Sequence, residues 1–236
     1  MRLKKYTRDE AHAYTFGVFP TLELLLHRAE VVEEVLLHTD AAKNEGAGKI
    51  RRLCEAQRIP YSTDDKLVER LSAKENTYAV GVFRKYQAAL EGTADHVMLV
   101  NPADMGNLGT IIRTMLGFGV RNLALIRPAA DIFDPRVIRA SMGALFQVQF
   151  EYFESVDAYQ SVYQQHLYPF LTDGQVSLRE VRFERPFTLV FGSESSGLPE
   201  HFRTMGSSVT IPQSAAIDSL NLATAVAVAL YAAGTI

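Results

Sequence analysis

The chain has 236 residues, 47% of them hydrophobic and 22% charged, with a formal net charge of −3. That is apolar material for one large domain or two small ones, and the charge argues against a protein that coats nucleic acid through bulk positive potential. One cysteine, Cys54, excludes an internal disulfide and argues against a cysteine-based zinc site; no resident metal is expected.

The charge is unevenly spread. Up to residue 95, 15 basic residues balance 15 acidic ones; beyond it 9 basic face 12 acidic, and every basic residue there is arginine. Nonspecific attraction to phosphate therefore belongs to the N-terminal part, while the C-terminal part relies on a few placed arginines. No stretch approaches the roughly 20 apolar residues of a membrane span, and charges follow the opening Met1 to Tyr6. A cytoplasmic protein with no membrane partner is expected.

In chain order, Pro20-Thr21 opens an apolar helical run from Leu22 to Ala29, and Val35 to His38 reads as a strand. A polar loop from Ala41 to Gly48 precedes a helix over Lys49 to Gln57, which carries Cys54 as a thiol without a role. An extended piece at Ile59 to Tyr61, a helix capped near Thr63-Asp64 and a strand from Tyr78 to Phe83 complete a first α/β domain, residues 1–92. Ala88 to Asp95 is small and polar, and marks the boundary.

A second domain, 96–236, restarts with the apolar strand Val97 to Val100. Helices are expected at Asn107 to Phe118, Pro135 to Ala140, Val156 to His166, near Pro199, and from Leu220 to Ala233. Strands are expected at Asn122 to Ile126, Leu145 to Phe150, Phe170 to Thr172, Phe187 to Phe191 and Ser208 to Ile211. Continuous apolar strands alternating with helices indicate a parallel sheet covered on both faces. The last helix is small and apolar almost all round, and is therefore buried against the sheet or another subunit.

Three separated segments hold polar residues at strand ends or helix starts. Asn107 to Arg113 follows a strand between Gly106 and Gly109, whose freedom lets helix amides approach a ligand. Asn107 and Arg113 are six residues apart, near one helix end but on different faces. Alone, this is also what a strand-to-helix turn with a solvated arginine looks like; it is neither a GxxxxGK[ST] loop nor a good GxGxxG. Gly192-Ser193-Glu194 follows the strand ending at Phe191, and reads either as a turn or as a carboxylate presented among small residues. It does not fit a nucleophile elbow. Ile211-Pro212 leads to Ser219-Leu220-Asn221. Asp218 or Ser219 can cap the final helix, which leaves Asn221 unexplained inside the first turn, where asparagine ranks poorly.

Taken together, NxGxIxR, FGxE and IP…SLN resemble the three ordered motifs of the SpoU (TrmH) RNA ribose methyltransferases of the SPOUT superfamily. Arg139 to Phe146 is similar to that family's RAS.GALF stretch, and Phe16-Gly17-Val18 with the Leu22 to Ala29 run resembles its RNA-binding domain. The resemblance implies an α/β fold with a C-terminal trefoil-knotted parallel-sheet domain and a smaller N-terminal α/β RNA-binding domain. It implies a homodimer that transfers a methyl group from S-adenosyl-L-methionine to a ribose 2′-hydroxyl of RNA. Arg113, Asn107, Glu194, Ser219 and Asn221 are its implied catalytic set. Backbone around Phe191, Gly192, Ile211, Ser219 and Leu220 is the implied cofactor cradle.

Arginine stays protonated throughout the physiological pH range, so Arg113 suits a fixed cation at the emerging alkoxide better than a general base. The family's usual methionine after Ile-Pro is Gln213 here, and the basic tail common in relatives is absent. An appended recognition domain favours ribosomal over transfer RNA. The competing readings are a transfer-RNA ribose methyltransferase, a knotted enzyme acting on a base nitrogen, and a noncatalytic RNA-binding or assembly protein.

Overall fold

A computed structural model describes residues 3–72 and 77–234. Contacts divide them into two compact units: one runs to Tyr86 and takes in Asp131–Gln147, and the other comprises Gln87–Ala130 and the chain from Val148 onward.

The first unit is built on a four-stranded sheet: β1 (His12–Phe16), β2 (Val32–Leu37), β3 (Tyr61–Thr63) and β4 (Ala79–Arg84), in the order β1-β4-β2-β3. β4 runs antiparallel to both neighbours, and β3 lies parallel to β2. Helices α1 (Val18–His27), α2 (Glu45–Gln57) and α3 (Asp65–Leu71) connect them. β1 is a strand that the sequence reading did not include.

Helix α2 also starts four residues earlier than expected, inside the segment read as a loop. Asn44 caps it by accepting from the Ala47 N–H at 3.1 Å. Gly46 has a packing reason: a Cβ there would stand 2.4 Å from a Val18 methyl, so glycine lets α2 close on α1. Asp64 caps α3 as expected, at 3.0 Å from the Leu67 N–H. Cys54 is buried on α2, and burial pushes its thiol up to about 11.

The second unit begins at β5 (His96–Val100), α4 (Met105–Gly117) and β6 (Asn122–Ile126). The chain then visits the first unit through α5 (Pro135–Ala140) and a 3-10 turn, Ala144–Gln147. It returns for β7 (Gln149–Phe153), α6 (Val156–Gln160), β8 (His166–Pro169), β9 (Val176–Ser177), β10 (Phe187–Phe191), β11 (Val209–Thr210) and α7 (Leu222–Ala232). Its sheet has the order β7-β6-β5-β10-β8, and every pairing is parallel. β5, β6 and β10 are buried throughout, as the unbroken apolar runs require of strands covered on both faces. Met98, Val100, Ala124, Ile126 and Val190 share one face with Tyr159, Tyr163 and Phe202. β9 and β11 form a separate parallel pair.

Some expected elements move. Leu145 and Phe146 are apolar because they are buried in the 3-10 turn, and the strand begins only at Gln149. The helix expected to reach His166 ends at Gln160, and His166 instead opens β8; Phe170 follows as a single bridge to Val209. Contacts also differ from a single division at 92/96, since 131–147 groups with the first unit.

That segment is held there by both packing and charge. Phe133 and Phe146 stack edge-on against the fully buried Phe83, at 5.9 and 5.4 Å between ring centres. Asp131 accepts from Lys85 at 2.9 Å and from the Tyr6 hydroxyl. Both ionic side chains are mostly buried, so solvent screens this pair less than the exposed pairs elsewhere.

At the amino ends of β5 and β10 lies a buried polar cluster. His96 approaches the Tyr159 hydroxyl at 2.7 Å and donates from Nε2 to the Glu91 carbonyl at 2.9 Å, while Thr188 meets the same hydroxyl at 2.7 Å. Burial lowers the His96 pKa, opposed by its bond to Glu91.

Candidate active site

β5 and β10 are neighbours and parallel, so the segments leaving their carboxyl ends emerge together. Open α/β sheets gather ligand groups at that edge. After β5, Asn101 turns the chain in the left-handed region (φ 54°), and Asp104 caps α4 by accepting from the Asn107 N–H at 2.6 Å. Helix α4 thus opens at Met105, two residues before its expected start, and Asn107 lies in the first turn with its backbone amide already engaged. Asp104 is a site residue that the sequence reading passed over. An aspartate three residues before a polar helix position is the usual capping signal.

After β10 the chain makes a tight turn. The Gly197 N–H donates to the Ser193 carbonyl at 3.0 Å, the Ser196 N–H donates to Ser193 Oγ at 3.2 Å, and Glu194 stands exposed at the tip. Gly192 crosses Gly197 at backbone contact: a Cβ there would lie 2.0 Å from the Gly197 carbonyl carbon. The third segment arrives from β11. Gln213 Nε2 donates to the Asp218 carbonyl at 3.2 Å, closing the stretch between Ile211 and Leu220 on itself. Gln213, the departure from the family pattern, therefore has a local structural use.

Asn221 is the N-cap of α7. Its Oδ1 accepts from the Ala223 and Thr224 N–H groups at 2.9 and 3.3 Å. This corrects the expectation that Asp218 or Ser219 caps a helix beginning at Leu220. It also removes the difficulty of an asparagine inside the first turn.

Three of the five expected catalytic residues come together. Asn221 Nδ2 donates to Asn107 Oδ1 at 3.0 Å, and Asn107 Nδ2 donates to Glu194 Oε1 at 3.2 Å. The other two stand apart from this chain of bonds: Arg113 and Ser219 are exposed, and neither side chain makes a hydrogen bond or ion pair among the described residues. Of the expected cofactor cradle, Ile211, Gly192 and Leu220 are half-buried. The Phe191 side chain belongs to the core, 2% exposed and stacked on Phe170 at 4.6 Å between ring centres. Only its backbone is left for a ligand.

Residues 95–231 match the family model described as the SpoU rRNA Methylase family. Similar proteins include an uncharacterized tRNA/rRNA methyltransferase of Synechocystis sp., 36% identical over 134 residues, covering 55% of this chain and 49% of that one. A 23S rRNA (adenosine(1067)-2′-O)-methyltransferase of Streptomyces azureus is 30% identical over 192 residues, covering 76% of this chain and 71% of its own. The chain spans about half the length of the first of these, or less of others.

Among solved structures, the SpoU methyltransferase AviRb of Streptomyces viridochromogenes, in complex with AdoMet, superposes with a TM-score of 0.81 at 23% identity, covering 97% of this chain and 93% of that one. A putative RNA methyltransferase of the TrmH family from Porphyromonas gingivalis gives 0.75 at 26% identity, covering 94% and 89%. A family match over more than half the chain, ending within the helix that Asn221 caps, carries the conclusion: the chain belongs to the SpoU rRNA methylase family.

Proposed function

We propose that the protein transfers a methyl group from S-adenosyl-L-methionine to a ribose 2′-hydroxyl of ribosomal RNA. The single observation behind this reading is the convergence of Asn107, Glu194 and Asn221 from segments 87 and 114 residues apart, at the carboxyl edge of the parallel sheet. Family membership and relatives named as 23S rRNA 2′-O-methyltransferases support it.

The residues fit the cofactor. Its adenosine and sulfonium ask for apolar side chains beside free backbone, and Ile211 and Leu220 are half-buried next to the exposed chain 212–219. Bound there, the cofactor supplies an electrophilic methyl group. This chain's own part is to align that methyl with the ribose oxygen, since positioning can supply several kcal/mol of a transfer barrier. Arg113 has its guanidinium uncommitted among the described residues, and it holds the neighbouring phosphate while offsetting charge on the emerging alkoxide.

The proposal includes a trefoil knot in the second unit. Two close backbone approaches between distant segments support it: Gly174 against Val209 and Gly206 against Leu167, each too close to admit a side chain. After β10 the chain runs through β11 and brings α7 against α4. It also includes a homodimer, for which the exposed Val228 and Tyr231 on α7 give an apolar face. The first unit is the RNA-recognition part, in keeping with its lysines, and the protein acts in the cytoplasm; among the described residues no helix is long and apolar enough to cross a membrane.

The test is incubation with tritiated S-adenosyl-L-methionine and deproteinised ribosomal or transfer RNA, then digestion to nucleosides and mass spectrometry. A 2′-O-methylated nucleoside from ribosomal RNA is expected. Label on a base nitrogen, label on transfer RNA alone, or no label at all would each replace this reading with one of its competitors.

A further inference from the structure

The order of donors and acceptors between α7 and Glu194 admits one direction only. The Ala223 and Thr224 N–H groups can only donate, so the Asn221 amide must turn its oxygen towards them, at 2.9 and 3.3 Å. That leaves Nδ2 facing Asn107, whose oxygen must receive it, at 3.0 Å. Asn107 Nδ2 is then directed at Glu194 Oε1, at 3.2 Å. Neither asparagine can flip without setting oxygen against oxygen or nitrogen against N–H. Asp104 meanwhile pins the backbone of Asn107 at 2.6 Å.

The geometry points to Asn221 and Asn107 as positioning residues, an amide relay through which the docked N-terminus of α7 fixes Glu194 as an acceptor at the reaction site. Glu194 is exposed at the tip of a turn of small residues, and the Asn107 amide is its sole side-chain partner among the described residues. Without the relay nothing there sets its rotamer. Helix α7 thereby has a second task beside packing on α4: it orients a carboxylate on a different loop. This inference rests on the methyl-transfer reading for its consequence, but its geometry can be tested in the free protein.

The test reverses the polarity. N221D keeps the helix cap, since aspartate caps as well as asparagine, and replaces the Nδ2 donor with an acceptor. The Asn107 amide must then flip to serve it, which turns Asn107 Oδ1 against Glu194 Oε1. N221D/E194Q supplies a new donor at position 194, so the relay can run backwards with every bond remade.

Amide hydrogen exchange in the free protein reads the turn through the Ser196 and Gly197 N–H groups, both hydrogen-bonded within it. Exchange at these two positions is expected to accelerate about tenfold or more in N221D, and to return to within a few-fold of the parent in N221D/E194Q. The melting temperature should be unchanged in both. In the tritium assay on ribosomal RNA, N221D should lower kcat with the KM for S-adenosyl-L-methionine unchanged. Unaltered exchange and kcat in N221D, or no recovery of exchange in the double variant, would overturn the relay. A parent protein that transfers no methyl group defeats the functional reading instead, and the exchange arm still decides the relay.

Discussion

A Cβ on Gly192 would stand 2.0 Å from the carbonyl carbon of Gly197 and 2.3 Å from the Leu198 nitrogen, so the two stretches of backbone pass with no room for a methyl group. G192A must therefore displace the turn that carries Glu194. Overpacking of this kind typically costs about 1–3 kcal/mol. A lowered melting temperature is expected, with calorimetric affinity for S-adenosyl-L-methionine reduced at least about tenfold, the equivalent of about 1.4 kcal/mol. Parental affinity in a folded G192A protein would mean that the cofactor does not depend on this crossing.

Arg113 behaves as a residue kept for a partner outside the protein. Exposed and without a hydrogen bond or ion pair among the described residues, it contributes little to folding. R113A should shift stability by less than about 0.5 kcal/mol, bind cofactor as the parent does, and lose about 10²–10³-fold in turnover. R113K keeps the charge and loses the planar fork, so only partial recovery is expected. Turnover at the parental rate in R113A would remove it from the mechanism.

His96 predicts a pH dependence. Burial holds its pKa below the ordinary histidine range, with the Glu91 carbonyl pulling the other way. The folded protein thus prefers the neutral ring, while the unfolded chain takes up a proton near pH 6.5. Stability from this group is complete above about pH 6.5 and is lost as pH falls through the lower folded value. Urea midpoints should be flat from pH 8 to 7 and decline below that, and the His96 ring resonance should titrate at lower pH than an ordinary histidine. A ring that titrates at or above the ordinary histidine range contradicts this account.

The first unit should not survive as residues 1–92. That fragment lacks Phe133 and Phe146, which pack on Phe83, and Asp131, which holds Lys85 and Tyr6. Truncating a single core phenylalanine costs about 3–5 kcal/mol, which is comparable to the stability of a small domain. The fragment is expected to lack a cooperative melt by circular dichroism. Joining 129–148 to its end through a flexible linker should restore one. A sharp transition in 1–92 alone would show the segment to be dispensable.

The central strands were legible because burial on both faces leaves an unbroken apolar run, and β6 and β10 fall where that signal put them. The residue types that meet at the candidate site were legible in the sequence, and the bonds that join them were not. Asp218, Ser219 and Asn221 are all good caps within four residues, and composition does not say which one α7 uses. Nor does it say that the amide left over after capping meets Asn107. Apolar content likewise marks Leu145 and Phe146 as buried without saying in which core, so a turn belonging to the first unit read as a strand of the second.

Because Asp131–Gln147 belongs to the first unit while its two ends continue into β6 and β7, the first unit is encoded in two pieces of the gene. A single recombination event between relatives brings in only one of them, and the hybrid inherits a foreign half of the Phe83 core. Remodelling of the first unit's core therefore requires paired substitution across both pieces, rather than exchange of a ready-made module.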